Sequence, residues 1–145
     1  MDVRRGLSAG GLISTVDQPK NLSTFSARVE TAPRSPIFRE AYRTCRALIP
    51  VQGAYKWTGD KKARHPLAIT RTDGRPLVCA GLWHELDGVT SCTILTTAPT
   101  GVFAQIHNRM PLLLLQDRLA AWFDPAAPLA QVQALTAPNN LFLAL

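Results

Sequence analysis

The segment Leu77-Val78-Cys79-Ala80-Gly81-Leu82 limits the choice of fold more than any other part of the chain. A strand with one wet face alternates apolar and polar residues, so a short apolar run without alternation reads as a strand covered on both faces. Turn signals bracket it: Thr72-Asp73-Gly74 before and Asp87-Gly88 after. Residues 67–70 precede the first turn, and the β-branched stretch 93–97 follows the second. This order predicts three or four sequential antiparallel strands joined by tight hairpins. Upstream, residues 48–57 form a further mixed apolar stretch that stops at Thr58-Gly59-Asp60.

Helical spacing flanks this β region. Ile37, Phe38, Ala41, Tyr42, Cys45 and Leu48 recur with a helical period, and Arg39, Glu40, Arg43 and Arg46 fall between them. The pattern predicts one amphipathic helix over residues 36–48, with Arg46 on its polar side and Ser35-Pro36 as cap and first turn. Leu115, Leu119, Trp122 and Phe123 predict a second helix ending at Asp124-Pro125, and residues 129–135 a short third one. Residues 6–23 are rich in Gly, Ser, Thr and Asn, so the first 24 residues read as a loop-rich arm. The expectation is an α+β fold: a single domain over residues 1–145, built on a curved, largely antiparallel β-sheet with flanking helices.

Composition narrows the function classes. At 145 residues, 46% hydrophobic and 18% charged, the chain can enclose one core. No apolar run, residues 111–115 included, approaches the roughly 20 residues a membrane-spanning helix needs. The opening residues place Gly, Ser and Ala after Arg4 and Arg5, unlike a secretory signal. Cys45, Cys79 and Cys92 are odd in number and widely spaced, as thiols of a reducing compartment are, so a cytoplasmic location is expected. His65, His84 and His107 show no ligand spacing with them, so neither a metal nor a cofactor is expected. A net charge of +6 and a pI near 9.8 suit a polyanionic partner, because cations that displace condensed counterions gain binding free energy, although many basic surfaces are merely solvated.

Three segments mix basic, histidine and aromatic residues at predicted strand ends: Ser26-Ala27-Arg28-Val29-Glu30-Thr31, Gly53-Ala54-Tyr55-Lys56-Trp57 and Ile106-His107-Asn108-Arg109-Met110-Pro111. With Ala80-Gly81-Leu82-Trp83 and Thr93-Ile94-Leu95-Thr96-Thr97 between them, they resemble in order and spacing the SRAP family, the SOS-response-associated peptidases that process abasic sites in single-stranded DNA. The resemblance runs from about Arg5 to about Leu135. It implies single-stranded DNA with abasic sites as the partner. In the family, a cysteine directly after the initiator methionine closes a thiazolidine on the ring-opened sugar aldehyde, assisted by an asparagine, a glutamate and a histidine. Here Ser26 stands at the asparagine position and Lys56 at the glutamate position, while His107 matches. Val3-Arg4-Arg5-Gly6-Leu7 resembles a point well inside the family pattern, and Met1 precedes Asp2, so the cysteine-bearing front is expected to be absent.

The binding residues match better. Arg28 and Arg109 fall at family arginines expected to meet phosphates, where a guanidinium forms charge-assisted bonds. Trp57 falls near the DNA and could stack on a base, Glu30 belongs to the same surface, and Lys56 removes a charge that would repel phosphate. Structural alternatives stand beside these roles. His107 equally suits a hydrogen-bonded turn anchor, Arg28 and Glu30 a surface ion pair, Lys56 a solvated cation, and Trp57, Trp83 and Trp122 the core, with Trp57 the one favoured as a ligand platform. Three functions follow from the resemblance: a non-covalent DNA binder, a residual abasic-site lyase using the Lys56 or Met1 amine, and an interaction module or fragment with a sheet edge for a partner to cover. Peptidase activity in the family means self-removal of residues before the cysteine, which this sequence has no such cysteine to expose.

Overall fold

The computed structural model describes residues 9–14, 24–59, 63–137 and 143–144. In chain order these form strands β1 (Ala9–Gly10) and β2 (Ser26–Arg28), helix α1 (Arg39–Thr44), strands β3 (Arg46–Val51), β4 (Ala54–Thr58), β5 (His65–Arg71), β6 (Leu77–Leu86) and β7 (Val89–Thr97), strand β8 (Met110–Pro111), helices α2 (Leu119–Phe123) and α3 (Leu129–Ala134), and strand β9 (Leu143–Ala144). Short 3-10 turns occupy Gly101–Gln105 and Gln116–Arg118. The class is the expected α+β.

The hairpin of β6 and β7 is the backbone of the fold. Leu86 pairs with Val89, and the two turn residues Asp87 and Gly88 both have positive φ, 51° and 75°. Such a turn matches the right-handed twist of the strands it joins, which is why Asp-Gly predicts it. Strand β3 pairs antiparallel with β6 from Arg46↔Leu82 to Val51↔Leu77. Beyond the Gly81↔Ile94 pair, residues 110–114 enter between β6 and β7. Leu112 donates its N–H to the Leu95 carbonyl, and Ala80 and Leu114 donate in turn to Leu112 and Val78, each at 2.8 Å. On the other edge of β7, β1 and β2 pair in parallel, Ser26 to Arg28 facing Ile94 to Thr96. The sheet is therefore largely, not wholly, antiparallel, and it stays open.

Strand β6 is covered on both faces, as its composition predicts. Ala80 and Leu82 join a core with α1, α2 and α3 that includes Tyr42, Leu95, Trp122 and Val132, whereas Leu77 and Cys79 join a second core with Ile69, Phe103, Met110 and Leu113. The second core lies under a separate three-stranded sheet ordered β4-β5-β9.

Two expectations are corrected, the bounds of the first helix and the face of Arg46, and two further segments take definite form. The helix over residues 36–48 is only Arg39–Thr44: residues 31–38 form turns, Phe38 holds the N-cap position without a side-chain cap, and the strand starts at Arg46 because that residue finds its partner in Leu82. Arg46 is not on a solvated face but 4% exposed. Residues 48–57 do not form one strand. Gly53 separates two, at a point where a Cβ would come within 2.8 Å of the Ile69 carbonyl oxygen, so only glycine allows β4 to swing into its own sheet beside β5. The arm of the first 24 residues carries β1 and the buried Leu12, and its other residues lie outside those described, apart from 11–14 and Thr24.

Candidate functional site

The insertion of residues 110–114 puts three strands side by side at one end of the large sheet, so that Arg28, Thr96 and Pro111 stand in one row. Immediately past Arg28 the chain leaves the strand in a tight turn, with the Arg28 carbonyl accepting from the N–H groups of Thr31 and Ala32. That turn brings the Glu30 carboxylate to the start of β8. There Arg109 reaches it with both terminal nitrogens, Nη1 to Oε1 at 2.9 Å and Nη2 to Oε2 at 2.8 Å. Arg109 also donates to the Thr96 carbonyl at 2.6 Å, which the Val29 N–H shares at 2.9 Å. Longer contacts of 3.4 Å and 3.3 Å reach the Thr96 hydroxyl. The guanidinium thus ties three chain segments that lie 79 residues apart at the extremes.

The hydrogen bonds from Arg109 hold the Glu30 carboxyl below its ordinary value of 4.5, and the nearby positive charge of Arg28 acts in the same direction. Glu30 pairs with Arg109, not with Arg28 two residues before it at the strand end. Among the described residues the Arg28 side chain has no hydrogen bond or ion pair, and it stands exposed. Ser26 is exposed on the same face of β2, two residues earlier.

His107 sits in the turn that delivers Arg109. Its Nδ1 is 3.0 Å from the Arg109 N–H and 2.9 Å from the Arg109 carbonyl oxygen. One backbone unit therefore offers that nitrogen both a donor and an acceptor. The ring can keep its anchor in either neutral tautomer, leaving Nε2 as an acceptor in one and a donor in the other. The anchoring role foreseen for His107 and a role in proton transfer are compatible.

Lys56 and Trp57 stand apart from this cluster, on β4. Strand alternation sends them to opposite faces. Tyr55 and Trp57 lie on the outer face, 72% and 63% exposed, whereas Trp122 is fully buried. Lys56 shares the inner, half-buried face with Ala54 and Thr58. Ala54 packs against the second core, to which Ile106 and Met110 contribute from either side of His107 and Arg109. The structure accordingly joins Arg28, Glu30, Thr96, His107 and Arg109 directly, with Ser26 beside Arg28, and relates Lys56 to them only through that shared core. Thr96 escaped sequence reasoning because a threonine in a β-branched strand carries no sign of its contacts; only its pairing with both β2 and β8 reveals it.

Among the described residues no group of three or more His, Cys, Asp or Glu could hold a metal ion, and no helix is long and apolar enough to cross a membrane.

The family model of the SOS response associated peptidase (SRAP) matches residues 7–142. The abasic site processing protein YobE of Bacillus subtilis is 31% identical over 115 residues, covering 75% of this chain and 52% of its own length. The abasic site processing protein YedK of Escherichia coli is 30% identical over 101 residues, covering 67% and 46%. This chain spans about half the length of the curated relatives it matches. A solved protein of Bordetella bronchiseptica superposes with a TM-score of 0.81 at 26% identity, over 94% of this chain and 74% of that one. Another, from Bacteroides thetaiotaomicron, gives 0.80 at 23% identity over 93% and 65% and speaks for the fold alone. The match spans all three motif segments, including the row of Arg28, Thr96 and Pro111 at which the cluster is assembled, and the chain belongs to the SOS response associated peptidase (SRAP) family.

Proposed function

We propose that this chain binds single-stranded DNA carrying abasic sites, as a DNA-damage-response protein, and holds it without the sulfur-dependent crosslink. The observation that carries the reading is the division of labour between two arginines. Arg109 has its fork on Glu30 and Thr96, so it braces the surface, while Arg28 beside it keeps its donors unengaged among the described residues. An exposed arginine held on a braced strand end is suited to a phosphate, since its donors need not leave another partner first. The outer-face rings of Tyr55 and Trp57 offer π-surfaces of the kind on which unpaired bases stack. The relatives named as abasic site processing proteins support this choice of lesion.

None of the three internal cysteines can supply a thiazolidine. That ring requires a free amine and a thiol on one residue. Cys45, Cys79 and Cys92 each have their nitrogen in a peptide bond, and Cys79 is buried with its thiol pushed up to about 11. Ser26 and Lys56 replace the residue types that would assist.

Fluorescence anisotropy with a labelled single-stranded oligonucleotide tests the proposal, using one abasic site against the intact sequence. Tighter binding to the abasic strand is expected, with no adduct surviving heat and denaturant. Arg28→Ala is expected to weaken binding by about tenfold, the size of one charge-assisted bond. Equal affinity for the two strands, or an adduct that survives denaturation, contradicts it.

A further inference from the structure

We propose that the Phe25 ring is a stacking platform for the nucleobase beside an abasic position, an inference that rests on the binding reading above. Strands β1 and β2 lie end to end along one edge of β7, with Gly10 facing Cys92, Ser26 facing Ile94 and Arg28 facing Thr96. Paired residues point to the same face of a sheet, and every second residue along a strand returns to it. Gly10, Ser26 and Arg28 therefore mark one face of this edge, at steps of about 7 Å. Phe25 stands at the break between the two short strands, and its backbone is fixed there. Its carbonyl accepts from the Ile94 N–H at 3.2 Å, while Gly11 donates to Cys92 at 2.9 Å and Leu12 to Thr24 at 3.2 Å. The ring rests where a side chain at Gly10 would stand, since a Cβ there would lie 3.3 Å from Cε1 and 3.4 Å from Cδ1 of Phe25. It thus shares a face with Ser26 and Arg28, and Ser26 lies between the two.

A lone exposed phenylalanine is ordinary on a protein surface. Phe25 differs in how it is held. Gly10 and Gly11 both meet the same Cδ1–Cε1 edge of the ring, so it is propped along that edge while the residue stays 68% exposed. A side chain at position 10 would claim the place of the ring. At the other end of the row, Arg28 is exposed and has no partner among the described residues. A nucleotide without a base offers a phosphate and nothing to stack, and its neighbour supplies the base. The row provides for both, with the phosphate at Arg28, the small Ser26 leaving room beside it, and the flanking base on Phe25. Bases of any kind stack on an aromatic face, so the platform needs no sequence preference. Tyr55 and Trp57 belong to the separate sheet and are no part of this row.

Two labelled single strands of equal length separate a stack from a mere prop. One carries a single tetrahydrofuran site, a stable abasic sugar, between ordinary nucleotides. The other carries tetrahydrofuran at that site and at its nearest neighbours on both sides, so it keeps every phosphate and loses the flanking bases. Anisotropy titrations on the full chain compare wild type, Phe25→Leu and Phe25→Tyr. Wild type is expected to prefer the first strand. Phe25→Leu, which still covers Gly10 but has no π-face, should lose at least about fivefold on the first strand and little on the second, with an unchanged salt dependence. Phe25→Tyr keeps a ring and should stay within about twofold of wild type on both. If Phe25→Leu matches wild type on both strands, or weakens equally on both, the stacking assignment is overturned and the binding reading stands. If wild type binds neither strand, both fall.

Discussion

Arg46 offers the sharpest test of how this fold is held. Its side chain, 4% exposed, forms no ion pair among the described residues, although the charge of Asp124 lies near enough to act on it. Instead it donates to four backbone carbonyls: Nε to Trp122 at 2.7 Å, Nη1 to Tyr42 at 2.9 Å and to Arg43 at 2.6 Å, and Nη2 to Asp124. These belong to the last turns of α1 and α2, where carbonyls have no partner within the helix. One guanidinium therefore caps two helices, and the Trp122 ring adds a cation–π contact at 6.0 Å. Arg46→Met keeps the length of the stem and removes all four bonds. The carbonyls of Tyr42 and Trp122 are buried, and at about 1–3 kcal/mol for each left unsatisfied the loss is about 2–6 kcal/mol. Relief of the desolvation cost of a buried cation offsets part of this, giving about 2–4 kcal/mol net. For a chain of this length that lowers the midpoint by about 6–16 °C. Thermal and urea unfolding of wild type, Arg46→Met and Arg46→Lys would be compared. The lysine, a point charge without a fork, should fall between the other two. A methionine variant within about 0.5 kcal/mol of wild type refutes the reasoning.

Other consequences follow from single sites. A Cβ at Gly81 would come within 2.9 Å of the Thr93 carbonyl oxygen and 2.4 Å of the Ile49 side chain, so Gly81→Ala should cost about 1–3 kcal/mol in urea unfolding. Burial pushes the Cys79 thiol up to about 11, so alkylation at neutral pH followed by peptide mapping should label the half-buried Cys45 and Cys92 well before it. The Arg109 bonds lower the Glu30 carboxyl in the folded state, so their stabilisation is fully present above the ordinary value of 4.5 and fades as pH falls through the lower folded value. Glu30→Gln should remove that part of the acid sensitivity, read as the midpoint against pH.

The strands were legible because their signals are local. The unalternating Leu77–Leu82 run and the Asp87-Gly88 turn each hold within ten residues what they mean for the fold. Trp122 as core was likewise foreseeable from its apolar helical stripe, whereas the core alternative for Trp57 fails, since that ring is 63% exposed on the outer face of β4. Arg46 was misread because a helical period places it among polar neighbours, and nothing nearby announces that two helix ends converge on it. The Glu30 to Arg109 fork was hidden for the same reason. Its partners meet only because residues 110–114 slip between β6 and β7, which no local pattern encodes. The resemblance drew attention to these segments, and the geometry distinguishes an engaged Arg109 from an Arg28 that is unengaged among the described residues.

That division is tested most directly by salt. Binding of wild type and Arg28→Ala to the abasic single strand would be measured across a range of salt concentrations. Each phosphate contact contributes a slope of about −0.7 in log affinity against log salt for single strands. The account predicts that Arg28→Ala binds more weakly and with a slope shallower by about that amount. An unchanged slope and affinity would mean that phosphates are met elsewhere and that the Arg28 surface is not where DNA lies.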